Sequence, residues 1–179
     1  MAAEMNEIGR ILLFTGDGKG KTTAALGMAL RAAGHGMKTL IVQFLKSDRD
    51  TGERNACLLL SGVEIVQTGC GFVPEQTSPA FSAHRQAARK GLELAEKAIL
   101  SNRFELVILD EVCTAVSKGV LEEKSVVDVI RRCASAICIV MTGRNATSGL
   151  IEMADTVTEM QLVKHGYTKG IRAQKGVEY

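Results

Sequence analysis

Tryptophan is absent from this 179-residue chain, and aromatic residues make up only 4% of it. So few rings leave little material for a surface that stacks nucleic-acid bases. The charges are also nearly balanced, since 22 Lys and Arg against 20 Asp and Glu give a net charge of +2. This balance does not by itself indicate a polyanionic partner. We therefore expect no nucleic-acid partner.

The sequence also lacks the patterns of a disulfide framework, a zinc site and a membrane anchor. Its five cysteines are odd in number, and no pair has Cys-x-x-Cys spacing. The N-terminal stretch carries Glu4 and Glu7 without an apolar signal core, and no apolar run approaches a membrane span. We expect a cytoplasmic protein with no membrane partner. Because no repeat or linker interrupts the chain, we expect one domain over residues 1–179.

What the sequence does contain is an alternation of apolar strands with amphipathic helices, which predicts an α/β fold. The predicted strands are 10–15, 38–44, 63–67, 105–110, 136–142 and 155–162. The predicted helices are 21–35, 81–101 and 122–134; the second buries Ala88, Gly91, Leu92, Ala95 and Ile99, and the third buries Val126, Val127, Ile130 and Ala134. This order favours a mainly parallel central sheet with helices on both faces.

Residues 15–23, Thr-Gly-Asp-Gly-Lys-Gly-Lys-Thr-Thr, predict a phosphate-binding loop between the first strand and the first helix. Its glycines permit a tight turn whose N–H groups converge on an anion at a helix N-terminus. Lys21 supplies a positive charge for the terminal phosphates, and the Thr22 hydroxyl is placed to hold Mg²⁺. The standard motif has Gly where this chain has Thr15, so the loop is a variant.

The predicted nucleotide-binding residues are Gly16, Asp17, Gly18, Lys19, Gly20, Lys21, Thr22, Thr23 and Arg144. For Lys19 the alternative is a side chain that points to solvent. Arg144 follows a strand, where it either senses the phosphates or is an ordinary exposed loop arginine. The loop and its context predict a P-loop NTPase domain of the RecA-like class.

Residues 106–111, Leu-Val-Ile-Leu-Asp-Glu, predict a buried strand that ends in two carboxylates. An acidic residue at the tip of such a strand meets the metal ion of a bound nucleotide. We expect either Asp110 or Glu111 to approach Mg²⁺, directly or through water. The alternative role for the other residue is to cap the helix that follows.

Two further segments, 46–57 and 68–80, are predicted to be loops at the carboxyl ends of the second and third strands. In open α/β sheets ligands bind at that edge, so both loops are candidates for a second-substrate site. Phe72 lies on the second loop and is either a ligand contact or a local hydrophobic plug. His84 and His165 have no partner at metal-ligand spacing, so neither is assigned to a metal.

With these segments in view, the chain resembles the ATP:corrinoid adenosyltransferases of the CobA/BtuR type. The resemblance extends from about residue 10 to the last residue. The segments that carry it are 15–25, 31–36, 42–44, 52–55, 109–111, 142–144, 154–157, 163–165 and 170–179. The phosphate loop alone is shared by many unrelated NTPases, and the Thr15 variant together with the C-terminal segment is far more discriminating.

The resemblance implies transfer of the 5′-deoxyadenosyl group of ATP to the Co(I) of a reduced corrinoid, with release of triphosphate. The corrinoid would be cob(I)alamin or a precursor such as cob(I)yrinic acid a,c-diamide, in adenosylcobalamin biosynthesis or salvage. It further implies a Mg²⁺ or Mn²⁺ ion held by Thr22, Glu111 and Asp110, with Glu111 nearest the metal. Lys21, Glu111 and Asp110 are the expected catalytic residues, and a homodimer and a flavoprotein or other reductase that supplies Co(I) are also implied.

The resemblance assigns the corrinoid to Phe72, with Glu53, Arg54 and Asn55 at the entrance to its site; from the residues alone, these three belong to a solvated loop. The family often has Gly-Phe-Thr-Trp after the third strand, where aromatic rings cover one corrin face. Here the run is Gly71-Phe72-Val73-Pro74, so Pro74 stands in place of Trp. By the resemblance, we expect the substitution to bear on the step in which Co(II) loses an axial ligand before reduction and on the preferred corrinoid, and not on the nucleotide half.

Two other functions fit the residues. One is a small-molecule kinase or NTP hydrolase on the same fold, although neither an arginine-rich lid nor an acceptor-activating Asp is evident. The other is a non-catalytic protein that binds ATP and a corrinoid and delivers the corrinoid. The products separate the three: triphosphate, ADP or none.

Overall fold

A computed structural model describes residues 9–48, 50–132 and 137–177. The strands are β1 Ile11–Thr15, β2 Thr39–Gln43, β3 Val63–Gln67, β4 Leu106–Asp110, β5 Cys138–Thr142 and β6 Thr156–Glu159. The helices are α1 Lys21–Gly34, α2 Gly52–Cys57, α3 Phe81–Leu100, α4 Val112–Ser117, α5 Glu123–Arg131 and α6 Ser148–Met153, followed by a 3-10 turn at Gly166–Lys169.

The six strands form one sheet in the order β3-β2-β4-β5-β1-β6. Every neighbouring pair is parallel, and Ile41 of β2 for example lies beside Ile65 on one side and Ile108 on the other. A parallel sheet brings the carboxyl ends of all its strands to one edge. The phosphate loop after β1 and the two carboxylates at the end of β4 therefore lie at the same edge. This is the P-loop α/β architecture that the sequence predicts.

Alternate strand residues pack on opposite faces of the sheet, as the period of two requires. Leu40 and Val42 join the larger apolar cluster, which lies under α3 to α6. Ile41, between them, joins the smaller cluster beneath α1 and α2. Because β2 and β4 are buried throughout, neither strand shows a polar-apolar alternation. The helices thus cover both faces and leave the carboxyl edge of the sheet open for a site.

Several predicted elements need correction. The segment 46–57 is not a loop throughout, since residues 52–57 form α2. In α5 Val129 is buried and Val127 only partly so, while Ala134 lies outside the described residues. The predicted apolar face of α3 is confirmed in full. Among the described residues no helix combines the length and the apolar character that crossing a membrane requires.

Candidate active site

The phosphate loop is anchored to the segment that follows β6. The Gly18 N–H donates to the Met160 carbonyl at 2.6 Å. A Cβ atom at Gly16 or Gly18 would lie within 2.6 Å of that carbonyl oxygen, so neither position admits a side chain. Gly16 and Gly20 also have φ angles of 90° and 114°, which favour glycine. The N–H of Gly18 therefore fastens the loop to the sheet edge. The other N–H groups of the turn are the ones available to bind an anion.

Lys21 lies inside the curve of this loop and is only 7% exposed. Its Nζ donates to the carbonyl oxygens of Gly16 and Gly18, both at 2.6 Å. Burial lowers the pKa of Lys21 below its ordinary value, as does the nearby Arg144 guanidinium, whereas Glu111 and Asp17 act in the opposite direction. The first turn of α1 thus holds an ammonium group where the phosphates of a nucleotide would meet it.

Asp110, at the end of β4, is 1% exposed and accepts hydrogen bonds from three side chains. Its Oδ1 accepts from the hydroxyls of Thr22 and Thr142, each at 2.8 Å. Its Oδ2 accepts from Gln43 Nε2 at 3.0 Å. Donors on both oxygens fix the rotation of the carboxylate, and the carboxylate in turn fixes the Thr22 hydroxyl. Asp110 consequently orients the threonine that the sequence predicts as a metal ligand.

Glu111 adopts the left-handed conformation, with a φ of 64° that is uncommon for a residue with a side chain. Its N–H donates to Thr142 Oγ1 at 2.9 Å, which holds the turn in place. Its carboxylate accepts from the Thr114 hydroxyl, whose oxygen accepts in turn from the Arg144 N–H at 2.8 Å. The hydroxyls of Thr142 and Thr114 thus both join the end of β5 to the start of α4.

Gly143 makes that junction possible. Its φ is 140°, and a Cβ atom there would lie 2.5 Å from the Thr114 nitrogen. The carboxylates of Asp110 and Glu111 are thus both bonded to side chains. Glu111 occupies the N-cap position of α4, but among the described residues neither carboxylate accepts from an N–H of that helix, so capping by an acidic side chain is not observed.

A cavity of about 480 Å³ opens above the phosphate loop. Its lining residues are Asp17, Gly18, Lys19, Gly20, Lys21, Thr22, Thr23, Leu26, Lys46, Gly52, Glu53, Glu111, Arg144, His165, Gly176 and Val177. The sequence predicts nine of these, and Asp110 lies behind them, beneath Thr22. Lys19 and Arg144 are both exposed residues at the cavity wall.

Lys46, Glu53 and His165 also line this wall; the sequence predicted Glu53 at the corrinoid entrance instead, and gave Lys46 and His165 no role in the site. Lys46 and Glu53 form an ion pair of 2.6 Å at its rim. Burial raises the pKa of the Glu53 carboxyl, but hydrogen bonds from Lys46 and from the backbone outweigh this, and the pKa lies below its ordinary value. His165 comes from one of the segments that carry the family resemblance, and that was the available signal.

The other residues predicted for the second substrate lie outside this cavity. Arg54 and Asn55 are on α2, one and two residues beyond Glu53, and Asn55 donates to Asp50 Oδ1 at 3.2 Å. Phe72 is 91% exposed, with Lys118 Nζ 5.9 Å from the centre of its ring. The next residue, Val73, is the one that is buried. The plug alternative for Phe72 is therefore wrong, and its ring is accessible.

The chain is similar in sequence to known proteins of one family. The family model described as ATP:corrinoid adenosyltransferase BtuR/CobO/CobP matches residues 7–179. Corrinoid adenosyltransferases from Escherichia coli K12 and Pseudomonas aeruginosa are 36% and 41% identical to it; each match spans the whole chain, and 90% and 88% of the relative. A relative of the same name from a Sinorhizobium species is 39% identical over the whole chain and 84% of its own length.

A solved structure, the flagellar accessory protein FlaH from Methanocaldococcus jannaschii, superposes with a TM-score of 0.58. The match covers 86% of this chain and 71% of that one at 10% identity, which is evidence for the fold alone. The full-length family match and the identities above 30% go further: the chain belongs to the ATP:corrinoid adenosyltransferase family.

Proposed function

We propose that this protein transfers the 5′-deoxyadenosyl group of ATP to the Co(I) centre of a reduced corrinoid and releases triphosphate. The observation that carries the proposal is a phosphate-binding cavity, lined by Lys21 and Arg144, in a chain that matches this family along its length. The loop with the exposed Phe72 follows β3 at the same sheet edge. That edge offers room for two substrates side by side.

The reaction needs position and charge from the protein more than it needs proton transfer. The Co(I) lone pair attacks C5′, the Co–C bond forms, and the C5′–O5′ bond breaks with its electrons passing to the triphosphate. Cobalt is thereby oxidised from Co(I) to Co(III), and no proton has to be removed from the nucleophile. Lys21, Lys19 and Arg144 are assigned to the negative charge of the leaving triphosphate. Alignment of the two bound reactants supplies about 7–11 kcal/mol of the barrier reduction.

The site also suits a divalent cation that prefers oxygen ligands. The oxygen atoms available to such an ion are the Thr22 hydroxyl and the carboxylates of Asp110 and Glu111. Among the described residues there is no cluster of three or more His, Cys, Asp or Glu side chains that could hold a metal ion by themselves. Such a set fits Mg²⁺ or Mn²⁺, which takes its remaining ligands from phosphates and water. When bound, the ion would neutralise phosphate charge. We assign Thr22 and Glu111 to it, with Asp110 behind Thr22.

For the corrinoid we propose Phe72 as the ring that covers one face, with Arg54 and Asn55 at the entrance. An exposed aromatic ring on a loop held at its base suits a flat, largely apolar ligand. Pro74 stands where the family often has Trp, so this face offers one aromatic ring fewer. From the sequence and the resemblance, we also propose that the protein is a homodimer, is cytoplasmic and forms a single domain over the chain. A separate reductase would supply Co(I).

An anaerobic turnover assay with ATP, Mg²⁺ and chemically reduced cob(I)alamin tests the function. We expect a light-sensitive adenosylcorrinoid and triphosphate in equal amounts. The product should disappear in Lys21→Ala and persist in Lys90→Ala, which removes an exposed lysine of α3. ADP with an unchanged corrinoid would identify a kinase or hydrolase instead. Binding of both compounds without any product would identify a delivery protein.

A further inference from the structure

Two glutamines form a line of hydrogen bonds across the sheet edge, from the end of β3 to the Asp110 carboxylate. Gln67 Nε2 donates to Gln43 Oε1 at 3.0 Å. Gln43 Nε2 donates in turn to Asp110 Oδ2, also at 3.0 Å. Gln43 is fully buried at the end of β2, and Gln67 is half-buried at the end of β3. Neither glutamine lines the nucleotide cavity.

The direction of these bonds is set by the carboxylate. An ionised Asp110 can only accept, so Gln43 must present its NH₂ group to it. The carbonyl oxygen of Gln43 then points away and can only accept, which requires the NH₂ group of Gln67. A charge at one end thus fixes two amides in sequence. It leaves Gln67 Oε1 buried and without a partner among the described residues, at the start of the 68–80 loop.

The backbone joins the same two segments. The N–H groups of Thr68, Gly69 and Gly71 donate to the carbonyls of Gln43, Lys46 and Leu45 at 3.0, 3.1 and 2.9 Å. A Cβ atom at Gly69 would lie 2.2 Å from the carbonyl carbon of Leu45, so the two backbones are in direct contact. The segment that leads to Phe72 is therefore held against the one that carries Lys46 to the cavity wall.

From these contacts we infer that Gln43 and Gln67 are positioning residues for the metal side of the nucleotide site. Gln43 locks the rotation of Asp110, Asp110 orients the Thr22 hydroxyl, and Gln67 holds the amide of Gln43 in the orientation this requires. The base of the Phe72 loop is thereby connected to Thr22 through side chains that touch neither substrate. The inference rests on the proposed Mg²⁺·ATP site and is independent of adenosyl transfer.

The test is ATP affinity measured twice for each variant, with excess Mg²⁺ and with EDTA. Gln43→Met keeps the length of the side chain and removes its hydrogen bonds. We expect about tenfold weaker binding with Mg²⁺, since a hydrogen bond to a charged group is lost, and a change of less than about twofold in EDTA. The exposed Gln86→Met on α3 is the matched control and should change neither value.

Gln67→Met tests the longer connection, because Gln67 reaches Asp110 only through Gln43. We expect a smaller loss, about threefold, that is again confined to the measurement with Mg²⁺. Equal losses with and without Mg²⁺, or no loss in either variant, would overturn the inference. If thermal melting shows that Gln43→Met does not fold, the ATP affinities of the half-buried Gln67→Met variant with and without Mg²⁺ test the inference by themselves. A protein that binds Mg²⁺·ATP and yields no adenosylcorrinoid would refute the proposed function and leave this result standing.

Discussion

Replacement of Thr142 by valine removes one hydroxyl that joins both acidic residues of the site. Thr142 is fully buried, donates to Asp110 Oδ1 and accepts from the Glu111 N–H. Thr142→Val keeps the shape of the side chain. It deprives a buried carboxylate of one of its three donors, worth about 1.5–3 kcal/mol, and leaves a partly buried N–H without its acceptor, worth about 1 kcal/mol. We expect the free energy of unfolding to fall by about 3 kcal/mol.

The same substitution at Thr39 is the matched control. Thr39 is also fully buried on a parallel strand, but its hydroxyl has no hydrogen-bond partner among the described residues. Thr39→Val therefore removes a polar group that is buried without compensation. It is expected to raise the free energy of unfolding by about 1 kcal/mol. The two variants should differ by about 4 kcal/mol, although their side-chain chemistry and burial are the same.

Urea unfolding followed by circular dichroism measures this difference. With a slope of about 2 kcal/mol per molar urea, the midpoints of Thr142→Val and Thr39→Val should lie about 2 M apart. The reasoning would be refuted if both midpoints moved in the same direction by similar amounts. That result would mean that the bonds of the Thr142 hydroxyl contribute nothing beyond filling space.

Further outcomes follow from the geometry and from the charges around single residues. Gly143→Ala would place a Cβ atom 2.5 Å from a backbone nitrogen of α4, so it should weaken nucleotide binding at least about tenfold. Gly27 has open space around it in α1, so Gly27→Ala should stabilise the fold by up to about 1 kcal/mol. Burial and the charge of a neighbouring carboxylate raise the pKa of Cys57, so at about pH 8 a thiol reagent should label the exposed Cys70 and spare Cys57 until the protein unfolds. For the same reason stability should fall as the pH rises above 9.0, the pKa of an unperturbed thiol, because the unfolded state ionises first; a Cys57→Ala variant that kept the full decline would contradict this. Phe72→Ala should leave stability within about 0.5 kcal/mol of the parent and ATP affinity unchanged, while it raises the KM for the corrinoid; a lowered melting temperature would show that the ring packs on the fold after all.

Local patterns in the sequence were sufficient for the strands, the three longer helices and the phosphate loop. Each of these has a periodicity or a motif that is complete within a short window. The short helices α2, α4 and α6 have six residues each, too few for a helical period to be recognised. The charged residues of α2 therefore predicted a loop.

The shape of the site depended on contacts between distant residues, which the sequence did not reveal. His165 reaches the cavity because its segment follows β6, and nothing near it in the chain indicates that neighbourhood. Asp110 was expected near the metal, but only the structure reveals that it is covered by Gln43, Thr22 and Thr142. Gln43 belongs to one of the segments that carry the family resemblance, but its position at the end of an apolar strand did not predict a role for it.

The position of β1 within the sheet has a consequence for the order in which the protein can be made. This first strand is flanked by β5 and β6, both of which emerge from the ribosome long after it. The phosphate loop also waits for Met160, whose carbonyl anchors Gly18. A nascent chain that has β1 and α1 but not yet β6 therefore lacks the partners that shape the loop. Nucleotide binding by this family member should begin late in translation, when β6 has left the exit tunnel and its pairing with β1 completes the loop.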